Sequence, residues 1–96
     1  MITMEVLQKK SSEIKRISSK HGAHHIRIFG SVAKNTASID SDVDFLVDLD
    51  ETRSLIDLGG LLMDLQELLG CKVDVVTENG LHWYLKDKIL QEAKTL

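Results

Sequence analysis

Gly30-Ser31 is followed, after ten intervening residues, by Asp42-Val43-Asp44, and a third aspartate, Asp74, stands inside the apolar run Val73-Asp74-Val75-Val76. Phosphoryl transfer needs three parts that these residue types can supply. Free backbone donors must hold a polyphosphate, two carboxylates must project together, and a third must arrive from elsewhere to complete a metal site. Asp42 and Asp44 are two apart, so on a strand both carboxylates leave the same face. Such a pair repels unless a cation sits between them. Mg2+ prefers hard oxygen donors and leaves room for water and phosphate oxygens. Asp74 is an acid in a strand that otherwise reads as buried, and a buried carboxylate needs a partner or a metal. Glycine lets a phosphate approach the backbone, and the Ser31 hydroxyl and neighbouring amides can donate to it. Lys34 can add a cation beside the phosphates. Blander roles exist for each residue taken alone: Asp42 as the cap of an Asp40-Ser41-Asp42 turn, Asp44 and Asp74 as solvated edge-strand acids, Lys34 as an exposed charge. Chance produces the whole spacing in roughly one chain per thousand at average residue usage. The joint pattern therefore favours the metal site.

The elements that must position these residues follow from periodicity and end signals. Thr3 can cap a first helix running to about Lys20, with Val6, Leu7, Ile14 and Ile17 on one face and Gly22 ending it. His25 to Phe29 alternates as a short strand, stopped by Gly30-Ser31, and Val32 to Lys34 can form a helical turn. Thr36 to Ser41 is loop material. Val43 to Leu49 is a second strand, with Phe45, Val47 and Leu49 on one face and Asp42, Asp44 and Leu46 on the other. Ser54 and Asp57 resemble a capping box that opens a helix through about Leu69, with Gly70 as its stop. Within it, Gly59-Gly60 suggests close packing or a bend. Cys71 to Thr77 is the third strand, and Leu81 to about Lys94 the last helix. The expected fold is α+β (α/β): a small mixed sheet with helices packed against it, in the order α-β-α-β-α-β-α.

Composition bounds the function. With 96 residues, 43% of them hydrophobic and 28% charged, and with no proline, the chain is expected to form one domain over residues 1–96. A formal charge of -3 argues against a broad grip on nucleic-acid backbone. No apolar run approaches the roughly 20 residues of a membrane span, and the N-terminus has no signal-like apolar region. The lone Cys71 cannot form an internal disulfide, which fits a reducing, cytoplasmic setting, and it reads as a small buried residue at a strand start. His24 and His25 are adjacent, a poor ligand spacing. His21 closes a helix where a cation suits the dipole, and His82 begins another. Asp40, Asp48, Asp50 and Glu51 read as a solvated turn, of which only Asp48 shares the parity of Asp44. On the last helix Leu81, Leu85, Ile89 and Leu96 form a core-facing stripe. Trp83 with Leu90, and Ile56 with Met63, sit apart from the main apolar faces and can mark a partner surface or cover a sheet end.

Phe29-Gly30-Ser31-Val32-Ala33-Lys34, Ser41-Asp42-Val43-Asp44-Phe45-Leu46-Val47 and Lys72-Val73-Asp74-Val75-Val76-Thr77 together resemble the minimal nucleotidyltransferases. These are short proteins of the polymerase-beta-like superfamily, and the resemblance spans nearly the whole chain, including Ile89-Leu90-Gln91-Glu92-Ala93. It implies the nucleotidyltransferase fold and transfer of a nucleotidyl group from ATP with two Mg2+ ions. Asp42 and Asp44 would hold both metals. Asp74 would bind the catalytic one and help deprotonate the attacking hydroxyl, and Gly30-Ser31 would bind the β- and γ-phosphates. The family commonly has arginine and then glycine where this chain has Lys34 and Asn35. Lysine keeps the charge but loses the bidentate fork, and asparagine tolerates a left-handed backbone better than most residues.

The resemblance also implies a partner. Similar proteins occur with a HEPN-domain ribonuclease toxin in two-component toxin–antitoxin modules, where they transfer AMP to a tyrosine hydroxyl of the toxin. On that pattern this chain would be a type VII-like antitoxin that works in a hetero-oligomer. A binding-only antitoxin, which occludes the toxin around a vestigial site, is the alternative. No residue in the sequence selects adenine over another base.

Overall fold

Thr3 Oγ1 accepts from the Val6 N–H at 3.2 Å and caps the first helix, α1 (Met4–Lys9). In the computed structural model, which describes all of residues 1–96, the helix expected to run on to Lys20 is divided. Lys10 leaves helical geometry (φ -97°, ψ 8°), and α2 (Ser11–Lys20) starts anew. The break falls before Ser11-Ser12, whose hydroxyls compete for backbone partners and disfavour a helix interior. Leu7 of α1 and Ile14 of α2 both reach the core and are fully buried. Gly22, at φ +73°, turns the chain out of α2.

Strand β1 (Ala23–Phe29) begins two residues earlier than the alternation suggested, because Ala23 pairs with Leu49. Its register to β2 (Val43–Leu49) slips by one residue between His24 and Arg27, and His25 sits at φ +51°. This is a bulge. Since side chains alternate with a period of two, one inserted residue re-aims every later one. Ala23 before the bulge and Ile26 and Ile28 after it thus all face the core, which leaves Arg27 and Phe29 on the opposite face. The second strand occupies the expected span.

Between these strands lies the short helix α3 (Gly30–Ala33). The Ser54 capping box is present, with the Ile56 N–H donating to Ser54 Oγ and the Ser54 N–H donating to Asp57 Oδ2. It opens α4 (Leu55–Leu69), which Gly70 ends in a left-handed conformation. Strand β3 (Val73–Thr77) starts after Cys71, which is half-buried just outside it. A 3-10 turn (Glu78–Gly80) leads to α5 (Trp83–Glu92). A further strand, β4 (Lys94–Thr95), was not legible in the sequence.

The sheet order is β3-β2-β1-β4, antiparallel except for the parallel pair β2–β3. It is the expected mixed sheet, with the α-β-α-β-α-β-α order modified by the divided first helix and the added terminal strand. Leu7, Ile14, Leu61, Leu65 and Leu69 cover one face, packed on Ile26, Ile28, Val43, Phe45 and Val47. The other face carries Asp44, Leu46 and Asp48 of β2, together with Asp74 of β3. Leu46 and Arg27 are buried there. The opposite edge strands β3 and β4 are joined through α5. The stripe assigned to the core on that helix is corrected: α5 has no buried residue, Leu85 is exposed, and Leu96 is buried only because it follows β4, where its N–H bonds the Ile26 carbonyl at 3.0 Å. No helix is long and apolar enough to cross a membrane.

Candidate active site

Asp42 and Asp44 enter the site by local geometry alone, from the exposed step before β2 and from its second residue. The Ser38–Ser41 turn ahead of them is closed by Ser41, whose Oγ accepts from the Ser38 N–H at 2.9 Å. Asp42 is therefore not what closes that turn. Asp74 arrives through pairing: the Val43 N–H donates to the Lys72 carbonyl at 3.0 Å, and the parallel ladder sets Asp44 directly beside Asp74. Asp74 is exposed rather than buried among its valines, because it points to the face without the helical core.

On its other side, Asp44 is paired with Phe29, the last residue of β1. This brings Gly30 against the carboxylate. Gly30 has φ +72°, and a Cβ there would collide with Asp44 Oδ2. Glycine is thus required twice, for its backbone angle and for the close approach. Gly30 and Ser31 begin α3, whose first N–H groups have no acceptor within the helix. Asn35 follows at φ +60°, in the left-handed region that asparagine tolerates. Lys34, exposed, forms an ion pair with Glu92 of α5 at 3.2 Å. The six candidate residues Gly30, Ser31, Lys34, Asp42, Asp44 and Asp74 therefore gather around one end of the β1–β2–β3 sheet.

The electrostatics of this end are strained. Burial, then the Asp74 charge, then the Asp42 charge push the Asp44 carboxyl up to about 6. No group of three or more His, Cys, Asp or Glu side chains forms a ready-made metal cage. The donor set nevertheless fits a divalent cation. It consists only of hard carboxylate oxygens, one of them on a group whose ionisation burial and its neighbours oppose, and Mg2+ is commonly bound by one or two carboxylates plus water and phosphate oxygens. A hollow of about 210 Å³, lined by Val32, Ser38, Ser41 and Cys71 among others, adjoins the chain just before Asp42.

The remaining polar groups are engaged elsewhere. His21 pairs with Asp64 at 2.6 Å, which holds the Asp64 carboxyl below its usual range. The His21 ring packs where a Cβ on Gly60 would stand, so the Gly59-Gly60 pair serves close packing at its second residue. His24 pairs with Asp50 at 3.2 Å and His25 with Asp48 at 3.0 Å, while His82 stacks edge-on with Tyr84. Sequence reasoning missed Arg27, which donates to Asp48 at 2.9 Å and to Glu78 at 2.8 Å. Its signal was a guanidinium between two isoleucines, Ile26 and Ile28. Asp48 is accordingly no part of a solvated turn but the centre of a network on the same sheet face as Asp44.

Comparison with known proteins gives a consistent result. Residues 10–96 match the family described as the nucleotidyltransferase domain. A Methanocaldococcus jannaschii protein named as a protein adenylyltransferase is 49% identical over 86 residues, covering 85% of this chain and 92% of the relative. Protein adenylyltransferase MntA of Thermococcus cleftensis is 34% identical over 94 residues, covering 97% of this chain and 95% of its own. A solved structure described as a minimal nucleotidyltransferase superposes with a TM-score of 0.87 at 40% identity, over 99% of this chain and 97% of that one. A toxin–antitoxin structure with AMP-PNP shares the fold, with a TM-score of 0.74 at 24% identity, over 92% of this chain and 70% of that one.

Proposed function

The chain belongs to the nucleotidyltransferase domain family, and on that premise we propose that it is a single-domain protein adenylyltransferase, a cytoplasmic antitoxin that transfers AMP from ATP to a tyrosine hydroxyl of a HEPN ribonuclease toxin. The observation that carries the nucleotidyl-transfer half is the register that sets Asp44 between Asp74 and Gly30. The protein-acceptor half rests on relatives named as protein adenylyltransferases whose length this chain nearly matches.

Each residue has a task in this scheme. The amides at Gly30 and Ser31, with the Ser31 hydroxyl, hold the β- and γ-phosphates, and Lys34 adds positive charge beside them. Asp42, Asp44 and Asp74 supply oxygens for two Mg2+ ions, which when bound stabilise the attacking and leaving oxygens of an in-line displacement. The Asp74 carboxylate accepts the proton of the attacking phenol. The tyrosine oxygen bonds to the α-phosphorus as the bond to the β-phosphate bridge breaks, and pyrophosphate leaves. Neighbouring charge and burial keep Asp44 poised to gain from a cation.

Incubating the purified protein with α-labelled ATP, Mg2+ and its neighbouring-gene product tests the reading. Label should pass to the partner, and Asp42→Asn or Asp44→Asn should reduce transfer by about 100-fold or more. If the partner stays unlabelled, yet complex formation and neutralisation survive both substitutions, the chain is a binding-only antitoxin.

A further inference from the structure

The amine of Lys34 already has a carboxylate partner. The Lys34 backbone N–H donates to the Gly30 carbonyl at 3.1 Å, so Lys34 lies one turn beyond the glycine that faces Asp44. Lys34 caps the C-terminal end of α3, the short helix that Gly30 and Ser31 begin. There Lys34 Nζ meets Glu92 Oε1 at 3.2 Å, and the carboxylate is the more buried partner, 24% exposed against 44%.

Glu92 is held in place from behind. It is the last residue of α5, the Ala93 N–H bonds the Ile89 carbonyl at 2.9 Å, and two residues on Lys94 is registered against Ile28 of β1. Ile28 is in turn two residues before Gly30. The β4 pairing thus delivers a carboxylate to the end of the sheet where the polyphosphate is to bind, while the flexible partner of the pair is the lysine.

We propose that Glu92 is an intramolecular competitor for Lys34, a built-in counter-ion that sets how tightly the phosphate subsite holds nucleotide. The inference rests on the phosphate role given to Lys34 above. The balance of effects decides its sign. A lysine has three donor hydrogens and could in principle keep Glu92 while reaching a phosphate, so the carboxylate could help by orienting it. The triphosphate, however, carries several negative charges, and each is repelled by a fixed carboxylate in a half-buried setting, where screening is weaker than in water. Repulsion summed over several charges outweighs the ordering of one flexible side chain. Glu92 therefore opposes nucleotide binding, and nucleotide draws Lys34 away from it.

Titration of AMP-PNP with Mg2+ into the full chain tests this. Glu92→Gln should tighten binding about 3- to 10-fold at low salt, with the gain shrinking at high salt, while Glu92→Asp stays near the parent because it keeps the charge. Lys34→Gln should weaken binding, and adding Glu92→Gln to it should give a smaller gain than in the parent, since the direct repulsion is relieved but the contested amine is gone. A thermal scan confirms that each variant is folded, and Glu92→Ala gives a second variant expected to behave as Glu92→Gln. Weaker or unchanged binding in both Glu92→Gln and Glu92→Ala, with Lys34→Gln still impaired, overturns the competition and leaves the phosphate reading standing. Unchanged binding in Lys34→Gln removes the lysine from the phosphate site, and the proposal falls with it.

Discussion

Asp44 shows how one residue can be placed against its own stability. Its carboxyl is raised to about 6 by burial and by two like charges, so its ionisation works against the fold. A raised carboxyl contributes stability fully below the unfolded value, near 4, and that contribution is lost as pH rises through about 6. Asp44→Asn removes the penalty. Its melting temperature should match the parent near pH 4 and exceed it by roughly 2–5 °C near pH 7, for a domain of this size. Mg2+ should recover part of the deficit in the parent near pH 7 and much less in the variant. Calorimetry at four pH values, with and without the cation, measures both effects. Equal melting temperatures across that range would mean that Asp44 is not under pressure from its neighbours. The sequence made Asp42 and Asp44 legible because two residues on a strand always share a face. It could not show that Asp74 is exposed, since exposure depends on which face of the sheet the helices cover.

At the scale of elements, the bulge in β1 and the buried Arg27 form one device. The inserted residue turns Arg27 away from the core, and its guanidinium then ties β1 to Asp48 of β2 and to Glu78 just beyond β3. These are the strands that carry or flank the three aspartates. Arg27→Ala leaves Glu78 without a partner and Asp48 with His25 alone, and breaking a buried pair typically costs about 3–5 kcal/mol. Since Asp48 and Glu78 are each more than a third exposed, solvent recovers part of that cost. A loss of about 1–3 kcal/mol in urea denaturation is expected. A change under about 0.5 kcal/mol would show that the network is ornamental to stability. Capping signals made the starts of α1 and α4 and the end of α4 readable, because caps act through neighbouring residues. The break at Lys10 and the strand β4 were not readable. The first looks like continuous helical periodicity, and two residues carry no alternation.

Across the whole molecule, the two faces of the sheet differ in how they are covered. One is sealed by leucines and isoleucines of α1, α2 and α4. The other carries Asp44, Asp48 and the exposed Asp74, while α5 buries none of its residues and leaves Trp83 80% exposed. Leu61 and Trp83 should therefore separate cleanly in denaturation. Leu61→Ala should cost about 2–5 kcal/mol, the range for a fully buried leucine, and Trp83→Ala less than about 0.5 kcal/mol. A large loss from Trp83→Ala would mean that α5 belongs to the core after all. The sequence by itself determined what backbone geometry fixes over a few residues: the shared face of Asp42 and Asp44, the end of β1 at Gly30-Ser31, the capped helix starts. The tertiary structure decided what pairing fixes over long separations. It set Asp74 beside Asp44 across a parallel ladder, aimed Arg27 by a register slip, and brought Glu92 to Lys34 through a terminal strand. Local rules constrain dihedrals, whereas register and strand order depend on which distant segments bury surface together, and no single window of the chain contains that information.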